Sequence, residues 1–416
     1  MEAENKRALW AGRTAALLGI VLLALNLRTA VTTISPIIDS ISRDIRLGEV
    51  GIGVLGMLAP IAFAVSGILA PAVARRVGLE NALLLACVAM AVGPAVRAAS
   101  TTYAALVIGS LIALAGMGVG NILLPPAVKK YFPDRVGLVT AAYATALSLS
   151  TAIPALLAAP MAFALGWRFS VGVWGAIATS ALVAWIIVRR KTRSAHAGVT
   201  GDDAVGLPVM RVVGQVWHSR VAWAIALIFA SAAINAYTAF AWLPSILREV
   251  AGVSQAGAGS LLALFAIVGL PLAIVIPGIA VRVHNVAPLV WAAAACLVVG
   301  YSGLMIAPAL APWLWVLLVS VGTLMFPLAL VLINLRTRTP TVSTSLSGFV
   351  QGFGYGIGAL GPLIAGILYS ATGAWTATLW FLLGTAAAAS VAGMILTRGV
   401  TVEDDLARRQ DRTPAR

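Results

Sequence analysis

Apolar runs of about 20 residues recur along the whole chain between short polar stretches, and each is long enough to cross a hydrocarbon core of about 30 Å. Twelve spans are predicted as helices, at about 14–41, 50–73, 81–97, 103–128, 137–163, 168–188, 219–247, 255–281, 285–306, 311–334, 341–369 and 375–397. The expected fold class is therefore an all-α membrane protein. The opening stretch MEAENKRALWAGR is charged, and the apolar segment after it is too long for a signal-peptide core, so it reads as the first span.

The pattern repeats. Shifting the chain by 207 to 209 residues brings Asn26 onto Asn235, Pro36 onto Pro244 and Arg75 onto Arg282. The same shift brings Lys129 onto Arg336, Pro133 onto Pro340, Pro154 onto Pro362 and Gly166 onto Gly373. Six spans per half means that both halves start from the same side, a parallel repeat about an axis along the membrane normal. The expected organisation is an N-terminal six-helix bundle over 1–190, a polar linker over 191–217, a second six-helix bundle over 218–398 and a tail over 399–416. The linker is basic and contains Gly and Pro, and the Asp- and Arg-rich tail reads as a solvated end.

Composition agrees: 61% of residues are hydrophobic and only 10% charged, where soluble domains are about a quarter charged. A net charge of +14 raises the question of nucleic acid, but the distribution answers it. With the N-terminus inside, 22 of the 28 Lys and Arg fall on the inner side and five (Arg43, Arg46, Arg97, Arg168 and Arg248) on the outer side. This is the positive-inside bias. It predicts a multi-pass protein of the plasma (inner) membrane with both termini cytoplasmic, a lipid bilayer as its surroundings and no nucleic-acid partner. Cys87 and Cys296 lie inside apolar spans and read as small buried side chains. His196, His218 and His284 have no partners at metal-ligand spacing, so neither a metal nor a cofactor is expected.

The remaining basic residue is Arg28, in LALNLRTAVTTISP. It lies about 14 residues into its span, roughly 21 Å along a helix, too deep for comfortable snorkelling. A charge at that depth costs at least about 2.5 kcal/mol and usually faces a cavity or a partner. The nearest acid along the span, Asp39, would be about 16 Å further on in a continuous helix, so the expected counter-charge is a solute. A guanidinium fork suits carboxylate-like anions. Thr29 and Thr32 can share the Arg28 face, while Asn26, Asn235 and Asn121 read as site or packing. Tyr237 follows Asn235. In the eleventh span Gln351 and Tyr355 stand one turn apart and can offer donors and a ring to a planar solute. Gly348, Gly352 and Gly356 beside them read as a ladder for close helix approach. Trp242 and most other tryptophans read as interfacial anchors.

Three stretches, NLRTAVTTISP, ARRVGLENALLL and GFVQGFGYGIGALGPLIAGILYSATGAW, resemble the cyanate permease and 2-nitroimidazole transporter family of the major facilitator superfamily. The resemblance runs over essentially the full length. It implies two pseudo-symmetric bundles around a central solute site, with Arg75, Arg76 and Arg282 in gating loops and a monomer as sufficient. One departure is Pro71, near where the superfamily loop carries an acid, which leaves only the basic residues of that latch. The expected function is secondary transport of a small anion or small planar polar solute by alternating access, with Arg28 as the central cation. The alternative is an exporter of drug-like or nitroheteroaromatic compounds. An enzyme is not expected, because the deep spans hold no acid–base pair. The same absence leaves any proton coupling to the solute itself.

Overall fold

The computed structural model describes residues 13–132, 134–195, 216–283, 285–338 and 340–410. His196 and His284, most of the linker and both extreme termini lie outside the described residues. Among the described residues there are helices and no strands. The chain divides into two compact units, Met1–Leu47 with Ala62–Val205, and Gly48–Ile61 with Gly206–Arg416.

The first unit holds α1 (Thr14–Ala24), α2 (Thr29–Thr32), α3 (Ile38–Asp44), most of α4 (Glu49–Val77), α5 (Leu79–Ala98), α6 (Tyr103–Tyr131), α7 (Val136–Leu165) and α8 (Trp167–Ala195). The second holds α9 (Arg220–Ala251), α10 (Gln255–Arg282), α11 (Ala287–Ile306), α12 (Pro312–Gly322), α13 (Met325–Leu335), α14 (Pro340–Thr372), α15 (Thr376–Ile395) and α16 (Val402–Gln410). Among the described residues twelve segments are long and apolar enough to cross a membrane. Thr102, Ser219 and Ser254 cap the N-termini of α6, α9 and α10 by accepting from backbone N–H groups. The repeat-paired Gly166 and Gly373 adopt φ of +85° and +65°, left-handed turns that admit glycine readily and let the next helix double back at once.

The first span is not one helix. After Ala24 the ladder tightens to three-residue bonds, Asn26 N–H to Leu23 O at 2.9 Å and Leu27 N–H to Ala24 O at 3.2 Å. Arg28, with φ −131° and ψ −3°, is the non-helical residue before α2. The tenth span breaks likewise between α12 and α13, where Thr323 N–H and Leu324 N–H bond to Ser320 O and Val321 O. In both places a short polar side chain competes for the backbone: Asn26 donates to Leu22 O and Thr323 to Ser320 O.

Small residues set the packing. A Cβ on Gly93 would come within 2.4 Å of Ala113 N, and one on Gly116 within 2.6 Å of Ala86 O, so α5 and α6 meet backbone to backbone. In α14 the close face is Gly354, Gly358 and Gly361, against Phe229, Ala233 and Thr238 of α9. Gly348, Gly352 and Gly356, expected as the packing ladder, instead face open space. Trp242 is also not an interfacial anchor: it is 1% exposed and donates to Pro362 O at 2.9 Å.

Both units close one end with a carboxylate that accepts from an indole. Asp44 accepts from Trp167 at 2.9 Å and from Arg168, whose guanidinium also lies over the Trp167 ring. In the second unit Glu249 accepts from Trp375 at 3.0 Å and from Tyr369 at 2.7 Å. At the other end of the second unit the described part of the tail packs against its bundle, where a solvated end was expected. Val402 is buried, Asp404 pairs with Arg338 at 2.9 Å, and Asp405 accepts from Ser219 Oγ and Arg220 N–H at the start of α9.

Gly358→Val should cost about 1–3 kcal/mol by overpacking and lower the melting temperature in detergent, whereas Gly352→Val should leave it unchanged. Hydrogen bonds from Trp167, then Arg168, hold the Asp44 carboxyl below the usual carboxylate range. A depressed acid contributes stability above its unfolded pKa of about 3.9 that is lost as pH falls through the lower folded value. Wild type should therefore melt above Asp44→Asn at neutral pH, with the gap closing below about pH 4 in a paired pH series.

Candidate functional site

In the first unit the break between α1 and α2 gathers most of the sequence candidates. The side chain of Asn26 is buried and donates to Leu22 O at 2.9 Å. Thr29 donates to Asn26 O at 3.2 Å, Thr33 to Thr29 O, and Thr32 across to Thr151 O of α7 at 3.0 Å. These groups satisfy carbonyls in and around the interruption. Arg28 differs from them: it is half-buried, and its guanidinium carbon lies 4.6 Å from the centroid of the Phe63 ring on α4. Such contacts are worth about 0.5–2 kcal/mol, more when water is excluded. Glycines bring the neighbouring helices in. A Cβ on Gly120 would come within 2.8 Å of Leu27, and one on Gly118 within 2.3 Å of Ser66 Oγ on α4. Asn121, next to Gly120 on α6, is half-buried.

The sequence reading assigns Arg97 to the outer-side charges, yet Arg97 is 2% exposed. Its Nε donates to Ser110 Oγ at 2.8 Å and its Nη1 to Ala30 O of α2 at 3.0 Å. The small residues Gly93, Gly109, Ala113 and Gly116, which let α5 and α6 close, are the signal that could have revealed it.

In the second unit Asn235 is wholly buried. It donates to Ser231 O and to Thr385 Oγ1, both at 2.8 Å, and accepts from Tyr301 Oη at 2.7 Å. Tyr237 and Tyr355 join an aromatic cluster. Tyr355 meets Phe229 at 5.1 Å, and Phe326 and Tyr237 at 6.3 Å each, and Tyr237 also meets Phe240. Gln351 is half-buried and donates to Ser347 Oγ at 2.8 Å. The shift of 209 that joins Asn26 to Asn235 also joins Arg28 to Tyr237 and Thr29 to Thr238, so NLRT and NAYT are repeat counterparts. Arg76 and Arg282 are exposed at the ends of α4 and α10, and Arg75 lies beside Arg76 near the end of α4.

Among the described residues, twelve membrane-length segments, with a two-fold sequence repeat and an interrupted span carrying a half-buried cation, give the layout of a polytopic carrier. The chain belongs to the Major Facilitator Superfamily, whose profile matches residues 17–359. It is 30% identical over 380 residues to the uncharacterized transporter YycB of Bacillus subtilis (strain 168), covering 90% of this chain and 91% of that one. It is 30% identical to the 2-nitroimidazole transporter of Escherichia coli (strain K12), covering 87% and 90%, and 27% identical to the cyanate transport protein CynX of the same organism, covering 86% and 90%. The fold matches a bacterial homolog of the human lysosomal transporter Spinster with a TM-score of 0.72 at 15% identity, over 97% of this chain and 99% of that one.

Tyr301→Phe removes the donor to Asn235 Oδ1. Interhelical hydrogen bonds in membranes average about 0.6 and reach about 1.7 kcal/mol, so a lower melting temperature is expected. Solute affinity should stay at the wild-type value, read by ligand-induced thermal shift.

Proposed function

We propose that this chain is a secondary carrier moving a small anion or small planar polar solute across the plasma membrane by alternating access. The solute is of the cyanate, nitrite, carboxylate or nitroimidazole kind. In this reading 1–190 and 218–398 are the two six-helix bundles, joined by the linker 191–217, and both termini are cytoplasmic, an orientation that the inner-side excess of Lys and Arg supports. The observation that carries the reading is Arg28, the half-buried cation at the break of the first span, set over Phe63. Interrupted helices at mid-membrane are a recurring source of solute sites in carriers. A guanidinium presents a planar fork of donors whose geometry matches a carboxylate-like anion or a nitro group. Relatives named for cyanate and for 2-nitroimidazole support both solute kinds.

A second reading, export of nitroheteroaromatic or other drug-like compounds, is favoured by the aromatic cluster of Phe229, Tyr237, Phe326 and Tyr355. Growth protection by expression, together with accumulation in inverted vesicles, selects export over uptake.

The test is uptake of labelled cyanate and 2-nitroimidazole into proteoliposomes. A charge-assisted hydrogen bond contributes about 1.5–3 kcal/mol, so Arg28→Ala should lower transport efficiency by roughly ten- to a hundredfold. Arg28→Lys, which keeps the charge but not the fork, should fall between. Wild-type transport by Arg28→Ala would remove the cation from the mechanism.

A further inference from the structure

Arg97 is a fully buried arginine whose bonds go to neutral groups. Its Nε donates to a serine hydroxyl and its Nη1 to a backbone carbonyl, and among the described residues no carboxylate lies within ion-pair distance of it. Arginine keeps its proton under all ordinary conditions, so a whole positive charge sits in the apolar interior of the first unit. Such a charge is costly to bury, and one held without a carboxylate usually marks function.

Its surroundings hold it rigidly. Ser110 Oγ, which accepts from Arg97, donates onward to Leu106 O at 2.7 Å. Ser100 Oγ closes on the Arg97 carbonyl at 2.6 Å. A Cβ on Gly109 would come within 2.8 Å of Arg97 N and 3.1 Å of its Cγ, so only a bare glycine lets α6 lie this close. The side chain points at Ala30, two residues past Arg28 in the short segment that follows the break.

We propose that Arg97 is a positioning residue of the Arg28 site and its second source of positive potential. Through Ala30 it fixes the segment that carries Arg28. Through its uncompensated charge it biases the site toward anions over neutral solutes of the same size. It does not touch the solute. The inference rests on the Arg28 reading, and the two can fail separately.

The experiment measures anion-dependent thermal stabilisation of the purified full-length protein, titrated with cyanate, nitrite and formate, beside the non-ionising 1-methyl-2-nitroimidazole. Wild type is compared with Arg28→Gln, Arg97→Gln and Arg97→Lys. Removing a fixed charge from a low-dielectric neighbourhood should weaken anion binding on the order of tenfold, so Arg97→Gln should show that loss. The neutral ring should be far less affected, and Arg97→Lys should keep anion affinity near wild type. A merely structural Arg97 would lower the melting temperature without moving the anion dissociation constants, or would move anion and neutral solute alike; either result overturns the proposal. Wild-type anion binding by Arg97→Gln with a loss in Arg28→Gln overturns this inference alone. No anion stabilisation of wild type, or unchanged binding in Arg28→Gln, removes the Arg28 reading and this one with it. Should Arg97→Gln not fold, Arg97→Lys still decides, because a tenfold loss confined to the anions, with the neutral ring unaffected and the charge retained, would refute the electrostatic role.

Discussion

A helix that breaks inside an apolar medium must find partners for the backbone groups its own ladder no longer pairs, because no water is there to take them. The first span meets this constraint from its own sequence. Asn26 and Thr29 turn their side chains back on Leu22 O and Asn26 O, and Thr32 reaches across to α7. Arg97 reaches in from α5 to take Ala30 O. The short polar residues that look like solute ligands in the sequence are the groups that make the interruption tolerable. Arg28 stands at the break itself, with its guanidinium over the Phe63 ring.

The two halves solve related problems with different chemistry. NLRT and NAYT occupy the same repeat position, but the first interrupts its helix while α9 runs unbroken for 32 residues. Asn26 and Asn235 both donate to the carbonyl four residues back. Asn235 then gains Thr385 and Tyr301, which anchor α9 in a saturated network across three helices. The interruption of the second unit moves to its fourth span, at Thr323 and Leu324, just before Pro327, which has no N–H to continue the ladder. The ends diverge in the same way. Arg13 reaches Asp134 directly in the first unit, whereas the start of α9 is tied down by Asp405 of the added helix α16.

Much of this was legible in the sequence because the dominant signals are one-dimensional. Span number follows from run length, the repeat from the spacing of Asn, Pro and Gly, and Arg28 from a charge in an apolar run. What was hidden depends on which face of a helix meets which neighbour. Gly348, Gly352 and Gly356 have the spacing of a packing ladder, yet α14 packs through Gly354, Gly358 and Gly361 instead, because Phe229 and Ala233 of α9 lie on that side. Trp242 sits near a span end, where tryptophans usually anchor to headgroups, but the carbonyl of Pro362 draws its indole inward. The tail is charged throughout, and only the positions of Arg338 and Ser219 turn its acids into ligands for their own unit.

Arg97 is the instructive failure, because hydropathy alone gives no means of separating a buried arginine at a span end from an orienting charge in the outer loop. Burial follows from Gly93, Gly109 and Gly116, which let two backbones touch around the side chain and leave it 2% exposed. The contrast with Arg28 follows from the same packing. One arginine is bonded to two neutral acceptors and, in the proposed site, acts through the carbonyl it holds and the charge it carries. The other is half-buried and set on an aromatic face at the break between α1 and α2, where the proposed solute would meet it. A site built only from rigid, saturated groups would bind without exchanging, and one built only from a mobile arginine would lose much of its affinity to the entropy of ordering it. In the proposed site the short segment joins the two arginines: Arg97 holds the Ala30 carbonyl within it, and Arg28 stands at its start.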